Sequence, residues 1–164
     1  MRLQISLSRD AAVKMILVAI DAARAENMLP LTVVVLDAAG KIVASQSEDG
    51  SGLMRFDIAR GKAWGALGMG MSSRLIRDRL ASRPSFQTAL AVVADGKFVP
   101  VPGGVLVMAK DGTVIGAVGV SGDTSEKDEY CAITAIMAAG LQSEPETPDD
   151  HWRNSSLSGA LIKG

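Results

Sequence analysis

Val105-Leu-Val-Met-Ala-Lys-Asp-Gly-Thr-Val-Ile-Gly-Ala-Val-Gly-Val120 is the stretch that decides the fold. Two apolar, β-rich runs flank Asp111-Gly112, a dipeptide that accepts the positive φ angles of a tight hairpin turn. A second hairpin is predicted upstream. There Leu31 to Asp37 and Ile42 to Gln46 flank Ala38-Ala39-Gly40, and Gly40 supplies a left-handed residue for the loop. Helical spacing surrounds both hairpins. Ala12, Met15, Ile16, Ala19, Ile20 and Ala23 predict a helix from about Arg9 to Glu26, with Ser8 as N-cap and Asn27 and Pro30 closing it. Met54 to Met69 and Ser73 to Arg83 read as further helices; Pro84 interrupts, and Ser85 to Ala94 carries a mixed signal. A last helix is expected from Glu126 to Leu141, capped by Thr124 or Ser125. Two hairpins flanked by helices, without βαβ alternation, predict an α+β domain with an antiparallel sheet covered by helices.

The chain has 164 residues, the size of one ordinary domain. With 48% hydrophobic and 21% charged residues it is not a disordered chain. Lys and Arg total 17 against 18 for Asp and Glu, which excludes a generally basic nucleic-acid binder. High hydrophobicity combined with only 4% aromatics, 17 Gly and 8 Met predicts burial against other copies, hence a homo-oligomer. One cysteine, Cys131, leaves no internal disulfide framework and fits a reducing compartment. No apolar run approaches the roughly 18 residues that span a bilayer. The apolar stretch from Met15 to Ile20 lacks the basic start and cleavage site of a signal peptide. A cytoplasmic protein with no membrane or nucleic-acid partner is expected.

Several residues can carry chemistry. Arg55, Ala59, Lys62 and Ala66 share one helix face, so two cations over small neighbours could hold a carboxylate or phosphate, or form a solvated basic face. Gly61, Gly65, Gly68 and Gly70 each cost this helix about 1 kcal/mol relative to Ala, which predicts close approach, by a packing element sooner than by a ligand. Gly122 and the following Asp123-Thr-Ser-Glu-Lys-Asp-Glu open a helix whose free N–H groups suit an anion. The spacing is not the dinucleotide fingerprint, and Asp123, Asp128 and Glu129 would repel a phosphate. Those acids read better as caps or as partners for Arg55 or Lys62, with a hard-cation site as an alternative; no metal site is assigned. Pro100-Val-Pro-Gly-Gly104 is a turn whose paired glycines permit close approach of a ligand, or only the bend. His151 is the only histidine, which excludes multi-histidine metal sites in one chain. The residues alone lead to a small-ligand-binding α+β domain.

Five segments in order carry a resemblance. They are Leu7-Ser-Arg-Asp-Ala-Ala, Thr32-Val-Val-Val-Leu-Asp-Ala-Ala-Gly-Lys, Ala59-Arg-Gly-Lys-Ala, Val101-Pro-Gly-Gly-Val and Gly116-Ala-Val-Gly-Val-Ser-Gly-Asp-Thr-Ser-Glu-Lys-Asp-Glu. Together, over about Leu7 to Leu141, the chain resembles the GlcG/HbpS family of haem-binding-protein-like domains, also found at the C-terminus of PduO adenosyltransferases. The resemblance implies profilin-like α-β-α layers around a central antiparallel sheet of about five strands. It also implies homo-oligomers from dimer to octamer, haem or corrinoid-related ligands, and a place beside catabolic genes. By motif position it marks Lys62, Pro102, Gly103, Gly104, Gly122, Asp123, Asp128 and Glu129 as pocket or interface candidates, and Asp37 as a residue of the turn. Two departures stand out. Leu106 stands where the family commonly has proline, and residues 142–164 extend past its usual end, as a C-terminal extension packing on the domain or on a neighbouring subunit.

Three functions follow. The first is a haem-binding protein, with Arg55 and Lys62 on the propionates and His151, Met54, Met69, Met71 or Cys131 as the axial ligand. The second is an enzyme (a lyase, isomerase or hydrolase) using Lys62 with Asp123, Asp128 or Glu129 as acid and base, and Arg55 on a substrate carboxylate. The third is a non-catalytic oligomeric accessory protein.

Overall fold

The structure, a computed structural model, describes residues 5–157. The end of the C-terminal extension, after Leu157, therefore lies outside the described residues. Helix α1 (Arg9–Ala25) leads to strands β1 (Thr32–Asp37) and β2 (Ile42–Ser47). Three helices follow, α2 (Arg55–Met69), α3 (Ser73–Leu80) and α4 (Pro84–Val93). Strands β3 (Gly104–Met108) and β4 (Val114–Ser121), helix α5 (Ser125–Ala138) and strand β5 (Gln142–Glu144) complete the order. A single 3₁₀ turn, Trp152–Asn154, ends it.

The five strands form one antiparallel sheet in the order β2-β1-β4-β3-β5. Alternate side chains along a strand face opposite layers. On one face Val33, Val35, Val105, Val107, Val118 and Val120 pack against α1 and α5. On the other, Val34, Leu36, Leu106 and Ala117 pack against Ala59, Ala63 and Ala66 of α2. The result is the α-β-α layering expected.

Helix α2 lies unusually close to the sheet, and glycine is the reason. A Cβ on Gly119 would stand 1.9 Å from the Ala59 carbonyl oxygen, and one on Gly104 2.2 Å from that of Lys62. No other residue fits beneath the helix backbone there. The glycines of α2 face the other way: a Cβ on Gly61 would strike the Val99 side chain, and one on Gly65 the Phe98 ring. Packing, as predicted, accounts for these two; it does not account for Gly68, whose Cβ would meet only Trp64 at 3.8 Å, or for Gly70, which ends α2 at φ +64° with nothing within 4 Å.

Local chemistry sets the boundaries. Ser8 caps α1 by accepting from the Ala11 N–H, an interaction usually worth about 1 kcal/mol. Asp37 shapes the β1–β2 turn, accepting from the Ala39 and Lys41 N–H groups at 2.9 Å each. Gly140, at φ +75°, follows α5, which ends three residues before the sequence suggested. Pro84 does not merely interrupt: it begins α4, where a missing N–H costs nothing. Strand β5 has no signal in the sequence, because three polar residues carry no alternation of their own; the edge of β3 supplies the partner. Beyond β5 the chain runs back over α5. The Trp152 ring stacks on Tyr130 at 3.7 Å, and Arg153 pairs with Glu26 at 2.7 Å. Among the described residues no helix is long and apolar enough to cross a membrane.

Candidate functional site

The close seating of α2 carries Lys62 into the interior, at the end of the sheet where β4 leaves and β3 enters. Its ammonium donates to the Val120 carbonyl at 3.0 Å and to Asp128 Oδ2 at 2.8 Å, and both side chains are buried. Asp128 comes from the first turns of α5, behind the Thr124 N-cap. Its second oxygen accepts the Asp123 N–H at 3.1 Å. Burial pushes the Asp128 carboxyl up to about 6, against the opposing pull of Lys62. Gly103, at φ +115°, passes directly over this pair, and a Cβ there would lie 2.9 Å from the ammonium nitrogen. Pro102 and Gly104 are buried alongside it, and the Ser73 hydroxyl clamps both the N–H and the C=O of Gly104. Lys62, Pro102, Gly103, Gly104 and Asp128 thus form one cluster.

Asp123 and Gly122 adjoin that cluster but face another way. Asp123 accepts from Leu29 N–H at 2.9 Å and Thr124 N–H at 2.8 Å, with Lys127 at 3.4 Å. Burial alone would raise its carboxyl, but those donors outweigh it and hold the group below its ordinary value. A Cβ on Gly122 would stand 2.4 Å from the Pro30 carbonyl oxygen. Both residues fasten the chain entering β1.

Glu129, next to Asp128, points away from Lys62. Arg74 from α3 lies 3.4 Å from it, yet neither carboxyl oxygen accepts a hydrogen bond. Burial pushes this carboxyl up to about 7, opposed by Arg74 and Arg77 and reinforced by Asp149 and Glu126. The other guanidinium nitrogen of Arg74 holds the Thr147 carbonyl at 2.9 Å, which fixes the returning tail over this region.

Arg55 begins α2 at the same end of the molecule. Its guanidinium donates to Ser121 Oγ at 3.3 Å and makes no ion pair among the described residues. Ser121 belongs to a row that sequence reading missed. Thr32 pairs directly with Ser47 on one side and Ser121 on the other, so three hydroxyls share the sheet face beneath α2. The Thr32 hydroxyl lies 2.8 Å from that of Ser47 and 2.7 Å from that of Ser51. Only the strand register brings residues 32, 47 and 121 together. Leu53 and Met54, just ahead of Arg55, are 95% and 69% exposed.

The remaining candidates are scattered. Met69 and Met71 line a separate cleft of about 290 Å³ with Ile76, Leu80 and Phe86, rimmed by Arg79 and Arg83. His151 is exposed on the tail. Cys131 is sealed in the core against the Met28 sulfur at 3.5 Å, and burial raises its thiol far above the usual range. It cannot reach a bound group. Among the described residues no cluster of three or more His, Cys, Asp or Glu is placed to hold a metal ion.

Known proteins share this fold. A family model described as haem degrading protein, HbpS-like, matches residues 7–137. A Citrobacter freundii protein, described as an uncharacterized 15.0 kDa protein in the dhaT-dhaS intergenic region, is 32% identical over 133 residues, covering 81% of this chain and 92% of that one. Among solved structures, a PduOC–haem complex superposes with a TM-score of 0.76 at 27% identity, covering 85% of this chain and 99% of the other. The Klebsiella pneumoniae protein ORFY superposes with a TM-score of 0.75 at 25% identity, covering 85% and 94%. A double mutant of Streptomyces reticuli HbpS does so at 0.70 and 25% identity, covering 84% and 90%.

Proposed function

The chain belongs to the HbpS-like family, and from that membership we propose that it is a cytoplasmic, homo-oligomeric small-ligand-binding protein whose ligand is haem or a related cofactor. One observation carries the site: Arg55, which makes no contact ion pair among the described residues and has Asp128 as an electrostatic partner, stands beside the Ser121 hydroxyl and exposed apolar side chains. A propionate or other carboxylate matches the guanidinium together with the partly exposed Ser51 hydroxyl, while the buried Ser121 hydroxyl orients the guanidinium. Leu53 and Met54 would offer an apolar edge for the body of the ligand, and the Met54 thioether would be a soft donor toward its iron. When bound, haem would supply the redox and gas-binding chemistry of its iron.

The buried cluster serves this site from behind. Lys62 is fully engaged by Asp128 and the Val120 carbonyl, so its part is to hold α2, β4 and α5 in register under the Pro102-Gly103-Gly104 turn. Gly122 and Asp123 hold the start of β1, and so the position of Thr32. Titration of the purified protein with haemin tests the proposal. A saturable Soret shift at micromolar protein supports it, and its absence overturns it.

A second reading, an enzyme of the lyase, isomerase or hydrolase type acting on an oxygenated carboxylate, is favoured by one feature. Glu129 holds a fully buried carboxyl whose two oxygens accept no hydrogen bond and which burial pushes up to about 7, into the range of a general acid or base, one residue from the Lys62–Asp128 pair. Turnover of a small hydroxy- or keto-acid that is lost in Glu129→Gln, with the fold intact, supports this reading. An unchanged rate removes Glu129 from it.

A further inference from the structure

Helix α4 is apolar, uncharged and uncovered. Its sequence, Pro-Ser-Phe-Gln-Thr-Ala-Leu-Ala-Val-Val, holds no acid or base, and none of its ten residues is buried. Its inner side is accounted for: Leu90 and Ala91 pack toward Ile76, Leu80 and Phe98, and the Gln87 side chain donates to the Leu80 carbonyl at 2.8 Å. Its outer side is not. Phe86, Ala89 and Val93 recur at three- and four-residue spacing, with Val92 beside them, and form a stripe along the helix. Val92 and Val93 are 76% and 83% exposed. Isolated exposed apolar residues are ordinary, but a continuous stripe on an uncharged helix marks an interaction surface.

The ends of the stripe say what covers it. Arg83 precedes the first turn, with its guanidinium over the Phe86 ring at 4.5 Å. Asp95 follows the last turn; Lys97 lies 3.3 Å from one of its oxygens, and its side chain remains 94% exposed and open to a second cation. The helix is about 15 Å long, with Ala89 near its middle. Two copies laid antiparallel across a twofold axis would bring Phe86, Val92 and Val93 together over the small Ala89. Arg83 of each copy would then face Asp95 of the other. The two helix dipoles run in opposition, so each Asp95 meets the positive end of the other α4. The contact is isologous and closes on itself.

We propose that α4 is a self-association surface, packing antiparallel on α4 of a second copy through Phe86, Ala89, Val92 and Val93, with paired Arg83–Asp95 contacts at its ends. This rests on the homo-oligomer part of the proposed function and names its contact. Light scattering over a range of concentrations tests it on wild type, Ala89→Glu, Arg83→Glu, Asp95→Arg and the Arg83→Glu/Asp95→Arg double variant. All four change exposed residues, and circular dichroism verifies each fold. Ala89→Glu is expected to halve the mass. Each single charge reversal is expected to weaken association about tenfold or more by setting like charges opposite one another, and the double reversal to restore it. An unchanged mass in Ala89→Glu, or a double reversal as weak as the singles, overturns the proposal and leaves an oligomeric protein joined elsewhere. A wild-type chain that is monomeric at about 100 µM overturns both this proposal and the oligomer reading.

Discussion

Lys62 and Asp128 meet at 2.8 Å with both side chains shut away from water, and a glycine backbone crosses directly above them. Such a pair contributes little net stability when intact, but each partner becomes costly once the other is removed. Lys62→Met alone should therefore destabilise the fold by about 3–5 kcal/mol, because the Asp128 carboxylate is left buried without its cation. Lys62→Met combined with Asp128→Leu should recover most of that loss. Urea unfolding of the three proteins measures it; a double variant as unstable as the single would mean that the pair's geometry, not its charge, is what the fold requires.

Glu129 predicts a pH dependence. Its carboxyl titrates at about 7 in the folded chain, against an ordinary value of 4.5, so the folded state holds the proton more tightly. The stability this gives is fully present below pH 4.5 and is lost as pH rises through 7. The groups facing it are Arg74 and Arg77 of α3, Asp149 of the tail and Glu126 of its own helix. Glu129→Gln should flatten a slope worth up to about 3 kcal/mol between those limits. Thermal midpoints across pH 4.5–7.5 read it out, and a variant with an unchanged slope would assign the effect elsewhere.

Gly119 predicts a steric failure. A methyl group there would overlap the Ala59 carbonyl, which belongs to helix backbone and cannot swing aside. Gly119→Ala should cost about 3 kcal/mol and displace α2 from the sheet. A chemical-denaturation midpoint equal to wild type would show that α2 is not held as described.

Much of this architecture is legible in the chain. Asp111-Gly112 between two apolar runs determines a hairpin locally, and Ser8 with the apolar period after it determines α1. What depends on distant partners is not legible. Gln142–Glu144 becomes a strand only because β3 presents an open edge, and Pro84 reads as a breaker unless the helix is known to begin there. The Lys62–Asp128 pair is one of several pairings that the chain permits, since spacing puts Lys62 on a helix face without saying what lies opposite. The row of Thr32, Ser47 and Ser121 needs the register of three strands, and no local pattern encodes it.

Trp152 gives the tail its own test. Its ring stacks on Tyr130 at 3.7 Å with an angle of 10° between planes, and it is largely buried although it lies well past α5. Trp152→Ala should cost about 3 kcal/mol. If the melting point stays within a degree of wild type, the tail's contacts add nothing to the domain.

Arg55, on the proposed function, receives the carboxylate of a bound cofactor. Haemin titration of wild type beside Arg55→Lys and Arg55→Ala, followed at the Soret band, tests it most directly. Saturable binding is expected for wild type, about tenfold weaker binding for Arg55→Ala, and an intermediate value for Arg55→Lys, which keeps the charge but not the two-pronged geometry. Identical titrations for all three proteins would contradict it.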